Sequence, residues 1–168
     1  MSDLKNIINK GEFGKKRRVN SKRKGSTFER RIAKLLNERF DTTEFCRTPG
    51  SGAFGSTHAL PQYLIVHGDL ITPQNFKYVI ECKNGYDVDL DDLFKENSEF
   101  YKFIEQAKKE SADCGKEWMV IYKKNRRKEL VVVDSPLGFL EERVSIKDKY
   151  YIYLLEDAIK LPESTWFN

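Results

Sequence analysis

Cysteine and histidine are scarce in this chain of 168 residues, with three and two copies respectively. The cysteines, Cys46, Cys82 and Cys114, are scattered and odd in number, which argues against a disulfide framework and fits a reducing compartment. The histidines, His58 and His67, show no partner pattern, so each is interpreted as a surface or packing residue. Neither residue type has the spacing of a metal site.

Long hydrophobic runs are also absent. No apolar stretch approaches the length of a membrane span, and the N-terminus lacks the apolar core of a signal peptide. We therefore expect a soluble protein with no membrane partner, located in the cytoplasm, or in the host cytoplasm if the chain is viral. Its length is that of one domain, which is large enough to bury a core without disulfides or a structural metal.

Positive charge is concentrated at the N-terminus. The chain has a net charge of +4, yet residues 1–24 hold nine basic residues against Asp3 and Glu12, so the remainder is net acidic. Such a segment is poor in core-forming residues and suits sequence-independent contact with phosphates. We interpret residues 1–24 as a basic, flexible arm and residues 25–168 as one folded domain; a solvated tail is the alternative. The candidate DNA contacts of the arm are Lys15, Lys16, Arg17, Arg18 and Lys24.

Apolar residues at helical spacing predict a first helix that opens at residues 25–26 and ends near residues 39–40. Glu29 falls at the edge of its inward face, since it lies about 20° from Leu36 at about 100° per residue. Ser26 and Glu29 also fit a capping box, in which the carboxylate returns to the amide of the N-cap residue. The buried stripe of this helix is predicted to be Phe28, Ile32, Leu35 and Leu36.

The rest of the chain alternates predicted strands with one further helix. Strands are predicted at residues 43–48, 64–71, 78–83, 118–122, 130–133 and 150–154 from their β-branched and aromatic content. A second helix is predicted from about residue 90 to residue 113, stopped by Gly115, with an acidic start. The acidic start comprises Asp87, Asp89, Asp91 and Asp92, and the apolar face comprises Leu93, Phe100, Phe103, Ile104 and Ala107. This order predicts an α/β fold with a mixed sheet covered by helices. Near the C-terminus, Trp166 and Phe167 either close the core or support a dimer contact.

An acidic and basic cluster surrounds the strand at residues 78–83. With a period of two, Glu81 and Lys83 leave this strand on one face and Cys82 on the other. Turn residues at 72–75 allow the run that follows Asp69 to fold back, which brings Asp69 next to Glu81. Two carboxylates and a lysine form a hard-oxygen site for Mg²⁺ or Mn²⁺. Surface ion pairs on a sheet rim are the alternative reading.

Two further segments have the composition of phosphate contacts. Residues 49–57 are rich in glycine and hydroxyl side chains, so backbone amides there can approach a phosphate, with Arg47 and Ser51 as candidate contacts. A plain flexible connection is equally compatible with this composition. Residues 123–128 form a basic hairpin tip, either a solvated turn or a second phosphate-binding patch. The candidate contacts of the tip are Lys123, Lys124, Arg126 and Arg127.

Taken together, residues 24–30, 47–52, 68–69 and 81–83 resemble the PD-(D/E)xK nuclease superfamily, most closely the Holliday-junction resolvases of archaea and their phage relatives. The resemblance covers residues 24 to 134. It implies a restriction-endonuclease-like fold, with a mixed central sheet flanked by helices, and an enzyme that cuts DNA with Mg²⁺ or Mn²⁺. It further implies four-way junctions as substrate and a homodimer with roles in recombination and repair. One residue departs from the pattern, because Gly68 replaces the proline that precedes the aspartate.

The resemblance also assigns roles to individual residues. Asp69 and Glu81 would hold the metal together with the backbone carbonyl of Cys82, and Glu29 would become a third acidic ligand. Lys83 would orient or deprotonate a water, or stabilise charge at the phosphate. Gln106, on the second helix, would touch the metal-bound water or the scissile phosphate, although an ordinary exposed glutamine is the alternative. The remaining alternatives are a less structure-selective phage or repair endonuclease and a non-catalytic DNA-binding protein.

Overall fold

The computed structural model describes residues 21–49, 67–89, 92, 95, 98–138, 144–146 and 150–168. Within these residues a central β-sheet lies between helical layers. The helices are α1 (Ser21–Phe40), α2 (Glu99–Cys114) and the short α3 (Leu155–Ala158), followed by a 3₁₀ turn (Glu163–Thr165). The strands are β1 (Cys46–Arg47), β2 (Leu70–Ile71), β3 (Tyr78–Asn84), β4 (Glu117–Lys123), β5 (Glu129–Val133), β6 (Val144–Ile146) and β7 (Tyr150–Leu154). The predicted α/β class with a mixed sheet is confirmed.

The main sheet has five strands in the order β3-β4-β5-β7-β6. β3 and β4 are parallel, because α2 connects them as a crossover, and each of the other neighbouring pairs is antiparallel. β1 and β2 form a separate antiparallel pair, in which Arg47 lies opposite Leu70. β3 is therefore an edge strand of the main sheet, and β2 lies beside it.

The alternation of residues along β3 and β4 separates two hydrophobic cores. Ile80, Cys82 and Ile121 belong to the core on the α1 side of the sheet. Val79 and Val120, which point the other way, belong to the core on the α2 side. The predicted division of β3, with Cys82 opposite to Glu81 and Lys83, follows from this alternation. Residues from one strand consequently reach both helical layers.

Helix α1 begins at Ser21, several residues before the predicted start. Gly25 and Ser26 lie inside it, and the Ser26 hydroxyl donates to the carbonyl oxygen of Arg23 at 3.2 Å. The predicted capping box is therefore wrong: Ser26 is not an N-cap, and the Glu29 carboxylate binds Arg47 instead. The cause is the high helix propensity of the preceding Lys and Arg residues, which outweighs a single glycine. The predicted end near residues 39–40 is confirmed.

Helix α2 begins at Glu99, later than predicted, and is capped by Ser98, whose hydroxyl accepts from the amide of Tyr101 at 3.4 Å. The predicted stop at Gly115 is confirmed, and this glycine has a left-handed φ of 71°. The predicted buried face is correct at Phe100, Phe103, Ile104 and Ala107, whereas Leu93 lies outside the described residues.

The prediction that the acidic segment before α2 is helix-start charge is wrong, because two of its aspartates pair with a lysine of another element. Asp87 lies 2.9 Å from the ammonium of Lys124, and Asp89 also pairs with this lysine. The carboxylate of Asp92 accepts from the amide of Asp89 at 2.9 Å. These residues connect the end of β3 to the β4–β5 hairpin, whereas Asp91 lies outside the described residues.

Strands β3, β4, β5 and β7 agree with the predicted strands, whereas the first two predicted strands are reduced to β1 and β2. Residues 64–66 of the predicted acidic strand lie outside the described residues, and β6 was not predicted. Trp166 is fully buried and stacks on Phe76 with ring centroids 6.1 Å apart, so this aromatic closes the core. No helix in the described ranges is both long and apolar enough to span a membrane.

Candidate active site

Asp69 is fixed to the edge strand β3 by its backbone and by its side chain. The amide of Asp69 donates to the carbonyl oxygen of Ile80 at 2.9 Å. Its carboxylate in turn accepts from the amide of Cys82 at 2.8 Å. The predicted fold-back that brings Asp69 beside Glu81 is confirmed by these two bonds, which lie on either side of Glu81 along β3.

The backbone conformation at Gly68 explains why glycine replaces the proline of the family pattern. Its φ is 76°, and an added Cβ would lie 2.7 Å from the carbonyl oxygen of Ile80 and 2.8 Å from a methyl group of Val79. A proline has φ near about −65°, so it cannot adopt this backbone conformation. Glycine is needed here because the turn passes directly against β3 and is left-handed.

Glu81 and Lys83 form an ion pair on the α2 side of β3. The Lys83 ammonium also donates to the side-chain oxygen of Gln106 on α2 at 3.0 Å. The amide nitrogen of Gln106 donates to Glu110 at 3.3 Å, so the orientation of the Gln106 amide is set by a donor on one side and an acceptor on the other. Lys83 further lies over the ring of Phe103, 5.3 Å from its centroid.

The carboxyl groups of Asp69 and Glu81 are poorly hydrated. Only 8% of Asp69 and 2% of Glu81 is exposed. Burial raises the pKa of Asp69, partly offset by the amide of Cys82. Burial, followed by repulsion from Asp69, raises the pKa of Glu81 to about 8 despite the ammonium of Lys83. Burial disfavours the charged form of Lys83 as well, but the Glu81 carboxylate outweighs it and holds the pKa of Lys83 above its usual value.

Glu29 reaches the same region from α1, on the opposite side of the sheet. Its buried carboxylate forms an ion pair with Arg47 of β1. Glu29 is close enough to Asp69 to help raise the pKa of that carboxyl. Thus α1, β1, the residue before β2, β3 and α2 all contribute charged or polar side chains to a single place at the sheet edge.

These side chains line a cleft of about 680 Å³. The sequence analysis singles out eight of its lining residues, namely Lys24, Glu29, Arg47, Asp69, Glu81, Cys82, Lys83 and Gln106. It had missed Ser21, Lys22, Gly25, Asn84, Gly85 and Tyr86 as cleft residues. Ser21 and Lys22 had been assigned to the arm, because the helix start was placed too late. The signal in the sequence for Tyr86 is its position, since it is an aromatic residue directly after Asn84 and Gly85 at the end of β3.

The other predicted DNA contacts lie in three places. Lys15, Lys16, Arg17, Arg18 and Ser51 are outside the described residues. Lys123 and Lys124 are engaged in ion pairs, with Glu129 for the former and with the two aspartates named above for the latter. Arg126 and Arg127 are exposed at the hairpin turn, where Arg126 has a left-handed φ of 60°. The predicted hairpin turn is confirmed, and Arg126 is its left-handed residue.

The donor set fits a hard divalent cation. Asp69 and Glu81 provide two adjacent carboxylates, and the buried Oε2 atom of Glu81 has no hydrogen-bond partner among the described residues. A cation would neutralise the two carboxylates and satisfy this oxygen. Over the described ranges, however, no three His, Cys, Asp or Glu side chains form a group that could hold a metal. The carboxylates therefore form a pair, with Glu29 occupied by Arg47. The thiol of Cys82 stays protonated because burial raises its pKa well above the ordinary value, so only its carbonyl oxygen suits a hard cation.

An aspartate and a Glu-x-Lys strand at the edge of a mixed α/β sheet define a nuclease of the PD-(D/E)xK class. The family model described as "Phage putative PDDEXK endonuclease" matches residues 20–159, and the chain belongs to this family. A relative, Protein D14 of Escherichia phage T5, is 32% identical over 123 residues, which are 70% of this chain and 72% of the relative. No solved structure matches the chain significantly. Membership of this family supports nuclease activity on DNA, and such nucleases generally use divalent metals.

Proposed function

We propose that this protein is a Mg²⁺-dependent DNA endonuclease that nicks four-way junctions by phosphodiester hydrolysis, with Mn²⁺ as an alternative metal. The observation that supports the reaction is the pair of buried carboxylates, Asp69 and Glu81, with one Glu81 oxygen lacking a partner in the described structure. Buried like charges are costly unless a cation or a proton compensates them. These two side chains and the Cys82 carbonyl oxygen would hold the metal. As a third acidic ligand, Glu29 would have to leave Arg47.

The surrounding side chains have distinct parts in the proposed reaction. When bound, the metal lowers the pKa of its water and neutralises charge that grows on the phosphate. The ammonium of Lys83 is held by Glu81 and by Gln106 at 3.0 Å, so it is oriented before substrate arrives. From that position Lys83 would donate to a phosphate oxygen or orient the attacking water. The guanidinium of Arg47, fixed by Glu29, would bind a phosphate of the same strand.

The choice of a four-way junction rests on the resemblance to the Holliday-junction resolvases. Two symmetric nicks across a junction need two active sites related by a two-fold axis, so this proposal requires a homodimer. A monomer in light scattering would favour the second candidate, a less structure-selective phage endonuclease. The basic residues at positions 15–18 would then bind DNA of any form through counterion release.

The test is cleavage of a labelled four-way junction beside a linear duplex of the same sequence, with and without Mg²⁺. We expect paired symmetric nicks on the junction, which are lost in Glu81→Gln and when the metal is chelated. Equal cutting of both substrates would keep the nuclease and reject junction selectivity. Tight binding without cutting would support a non-catalytic DNA-binding protein.

The matched control is Asp69→Asn, which keeps the size of the side chain and the acceptor for the Cys82 amide but removes the charge. We expect loss of cleavage with retained junction binding, because the phosphate contacts are elsewhere. A slow residual rate that is identical in wild type and in this variant would identify a contaminating nuclease.

A further inference from the structure

An exposed aromatic side chain stands at the rim of the catalytic cleft. Among the described residues, Tyr86 is the one large hydrophobic residue with an exposed side chain, with 43% of its surface accessible. It follows β3 directly and lines the cleft together with Asp69, Glu81 and Lys83. A single exposed aromatic residue is common on protein surfaces, so it is the place of Tyr86 in the cleft, beside the proposed metal ligands, that suggests a contact.

The backbone of Tyr86 is held on both sides. The hydroxyl of Tyr122 donates to the carbonyl oxygen of Tyr86 at 3.0 Å, and the amide of Gly85 donates to the carbonyl oxygen of Lys123 at 2.9 Å. The ring packs edge-on against Phe103 of α2, with centroids 4.8 Å apart and an angle of 64° between the planes. One part of the ring is therefore fixed against the protein while the rest faces the cleft. A planar partner would bind without first ordering this side chain.

Two ammonium groups line the same cleft as Tyr86. Phe103, which packs against Tyr86, also lies under the ammonium of Lys83 at 5.3 Å, so a single phenyl ring separates Tyr86 from the proposed catalytic lysine. The side chain of Lys24 passes over Gly85, the neighbour of Tyr86 in sequence, and donates to Asn125 of the hairpin tip. An aromatic ring and ammonium groups in one cleft suit a nucleic-acid strand, with a base on the ring and phosphates on the cations.

We propose that Tyr86 stacks on an unpaired nucleobase next to the scissile phosphate and thereby selects DNA that is unpaired at the cleavage point. This inference rests on the proposed endonuclease function and specifies its substrate. In an intact duplex both faces of a base are covered by its neighbours, and exposing one costs unstacking energy. A branch point with unpaired nucleotides or a single-stranded end presents an uncovered base without this cost. The selectivity of the cleft for branched DNA then has a physical source in one side chain.

The experiment uses the full chain with EDTA, so that binding is measured without cleavage. The probe is DNA that carries the fluorescent base 2-aminopurine at an unpaired position beside the branch point, compared with the same base inside a duplex. Stacking on an aromatic ring quenches this fluorophore, so we expect quenching on the unpaired probe with wild type. The conservative variant Tyr86→Phe should retain the quenching, and Tyr86→Leu should lose it.

Affinity provides a second measurement. Base stacking on an aromatic residue corresponds to about 10- to 100-fold in binding. We expect Tyr86→Leu to bind the unpaired probe more weakly by this factor and to bind the duplex nearly as wild type does. The matched control is Tyr101→Leu, a partly buried tyrosine on α2 that packs on Tyr150 and does not line the cleft. Equal quenching and equal affinity for wild type and Tyr86→Leu would overturn the inference.

Cleavage with Mg²⁺ separates this inference from the proposed function. If wild type cuts DNA and Tyr86→Leu loses its preference for unpaired sites, both proposals are supported. If wild type cuts but the preference is unchanged in Tyr86→Leu, only the role of Tyr86 is rejected. If wild type binds with quenching but never cuts, the endonuclease proposal is rejected and stacking stands. Absence of any DNA binding rejects both.

Discussion

At the scale of single residues, the carboxyl groups of the candidate active site oppose the stability of the metal-free protein. Glu81 is almost completely buried, and its carboxylate lies beside that of Asp69. A carboxyl group with a raised pKa in the folded state binds a proton more tightly there than in the unfolded chain. Ionisation of Glu81 therefore favours unfolding unless a cation takes the place of the proton.

This gives a pH prediction for the metal-free protein. The pKa of Glu81 is 4.5 in the unfolded chain and about 8 in the folded protein. The stability that the protonated Glu81 contributes is therefore complete below pH 4.5 and is lost as the pH rises through the folded pKa. The free energy of unfolding, measured by denaturant titration in chelator, should fall by a few kcal/mol from about pH 5 to about pH 8.

The control for this prediction is Glu81→Gln, which cannot ionise. Its unfolding free energy should vary less over the same pH range and exceed that of wild type at the alkaline end. A wild-type stability that rises between these pH values would contradict the assignment of a raised pKa to Glu81.

Part of this residue-scale arrangement follows from the sequence. The two-residue period of a strand was enough to place Glu81 and Lys83 on one face and Cys82 on the other. The ion pair of Glu29 with Arg47 was not predictable, because no local rule relates a helix residue to a strand residue that follows a separate turn. Among the described residues, that pair engages the carboxylate of Glu29, which would otherwise be a third acidic ligand beside Asp69 and Glu81.

At the scale of elements, the same residue type has opposite effects in two helices. Gly25 lies inside α1, where an added Cβ would make ordinary contact with Glu29 at 3.6 Å. Gly115 ends α2 with a φ of 71° and has open space around it. The first glycine weakens a helix that could contain alanine, and the second adopts a conformation that alanine avoids.

We therefore predict opposite signs for two identical substitutions. Gly25→Ala should stabilise the protein by about 1 kcal/mol through helix propensity. Gly115→Ala should destabilise it by about 1 kcal/mol, because the cap requires the left-handed conformation. Thermal and denaturant unfolding measure both. A negligible effect of Gly25→Ala would mean that α1 begins after this residue, as the sequence alone had suggested.

The helix starts were the least predictable feature of the elements. In α1 the sequence predicts a start at residues 25–26, whereas the helix begins at Ser21. In α2 the acidic residues before Ser98 resemble helix-start charge, yet Asp87 and Asp89 pair with Lys124 across 30 or more residues of chain. Local rules rank such alternatives poorly when a tertiary ion pair decides between them.

At the scale of the whole molecule, the C-terminal segment closes the core on the α1 side of the sheet. The carbonyl oxygen of Trp166 accepts from the amide of Lys77 at 2.8 Å, and Asn168 donates to Asn75 at 2.9 Å. Arg39 of α1 donates to the carbonyl oxygens of Ile159 and Leu161 at 2.7 Å and 2.9 Å. The segment thus joins the first helix to the turn that precedes β3, and it positions the active-site strand from behind.

Substitutions at Trp166 test this role. Trp166→Ala should destabilise the protein by about 3–5 kcal/mol, since it leaves a large cavity. Trp166→Phe should cost about 1–2 kcal/mol, because the indole nitrogen has no hydrogen-bond partner among the described residues and nothing polar is left unpaired. The measurement is chemical unfolding followed by circular dichroism. Similar losses for both variants would show that the indole nitrogen makes a bond that matters.

The overall architecture was predictable because it depends on patterns that repeat along the chain. Four apolar strands and the crossover between the third and fourth strands are determined by alternation and by length. Strand β6 was not predictable, because three residues give too little periodicity to identify a strand. The roles of Trp166 and Phe167 were left open for a related reason: aromatic content is the same for a core and for a dimer contact, and only packing distinguishes them.

The left-handed turn at Gly68 has a consequence for finding other nucleases of this kind. A search pattern that demands proline before the aspartate rejects this chain, although the aspartate, glutamate and lysine are in place. Proline and the present φ of 76° belong to different loop paths, and the codons for glycine and proline differ at both of their first positions. Exchange of one residue for the other therefore requires a change of the loop path as well as of the codon. Genome searches for such nucleases gain relatives when glycine is admitted at this position.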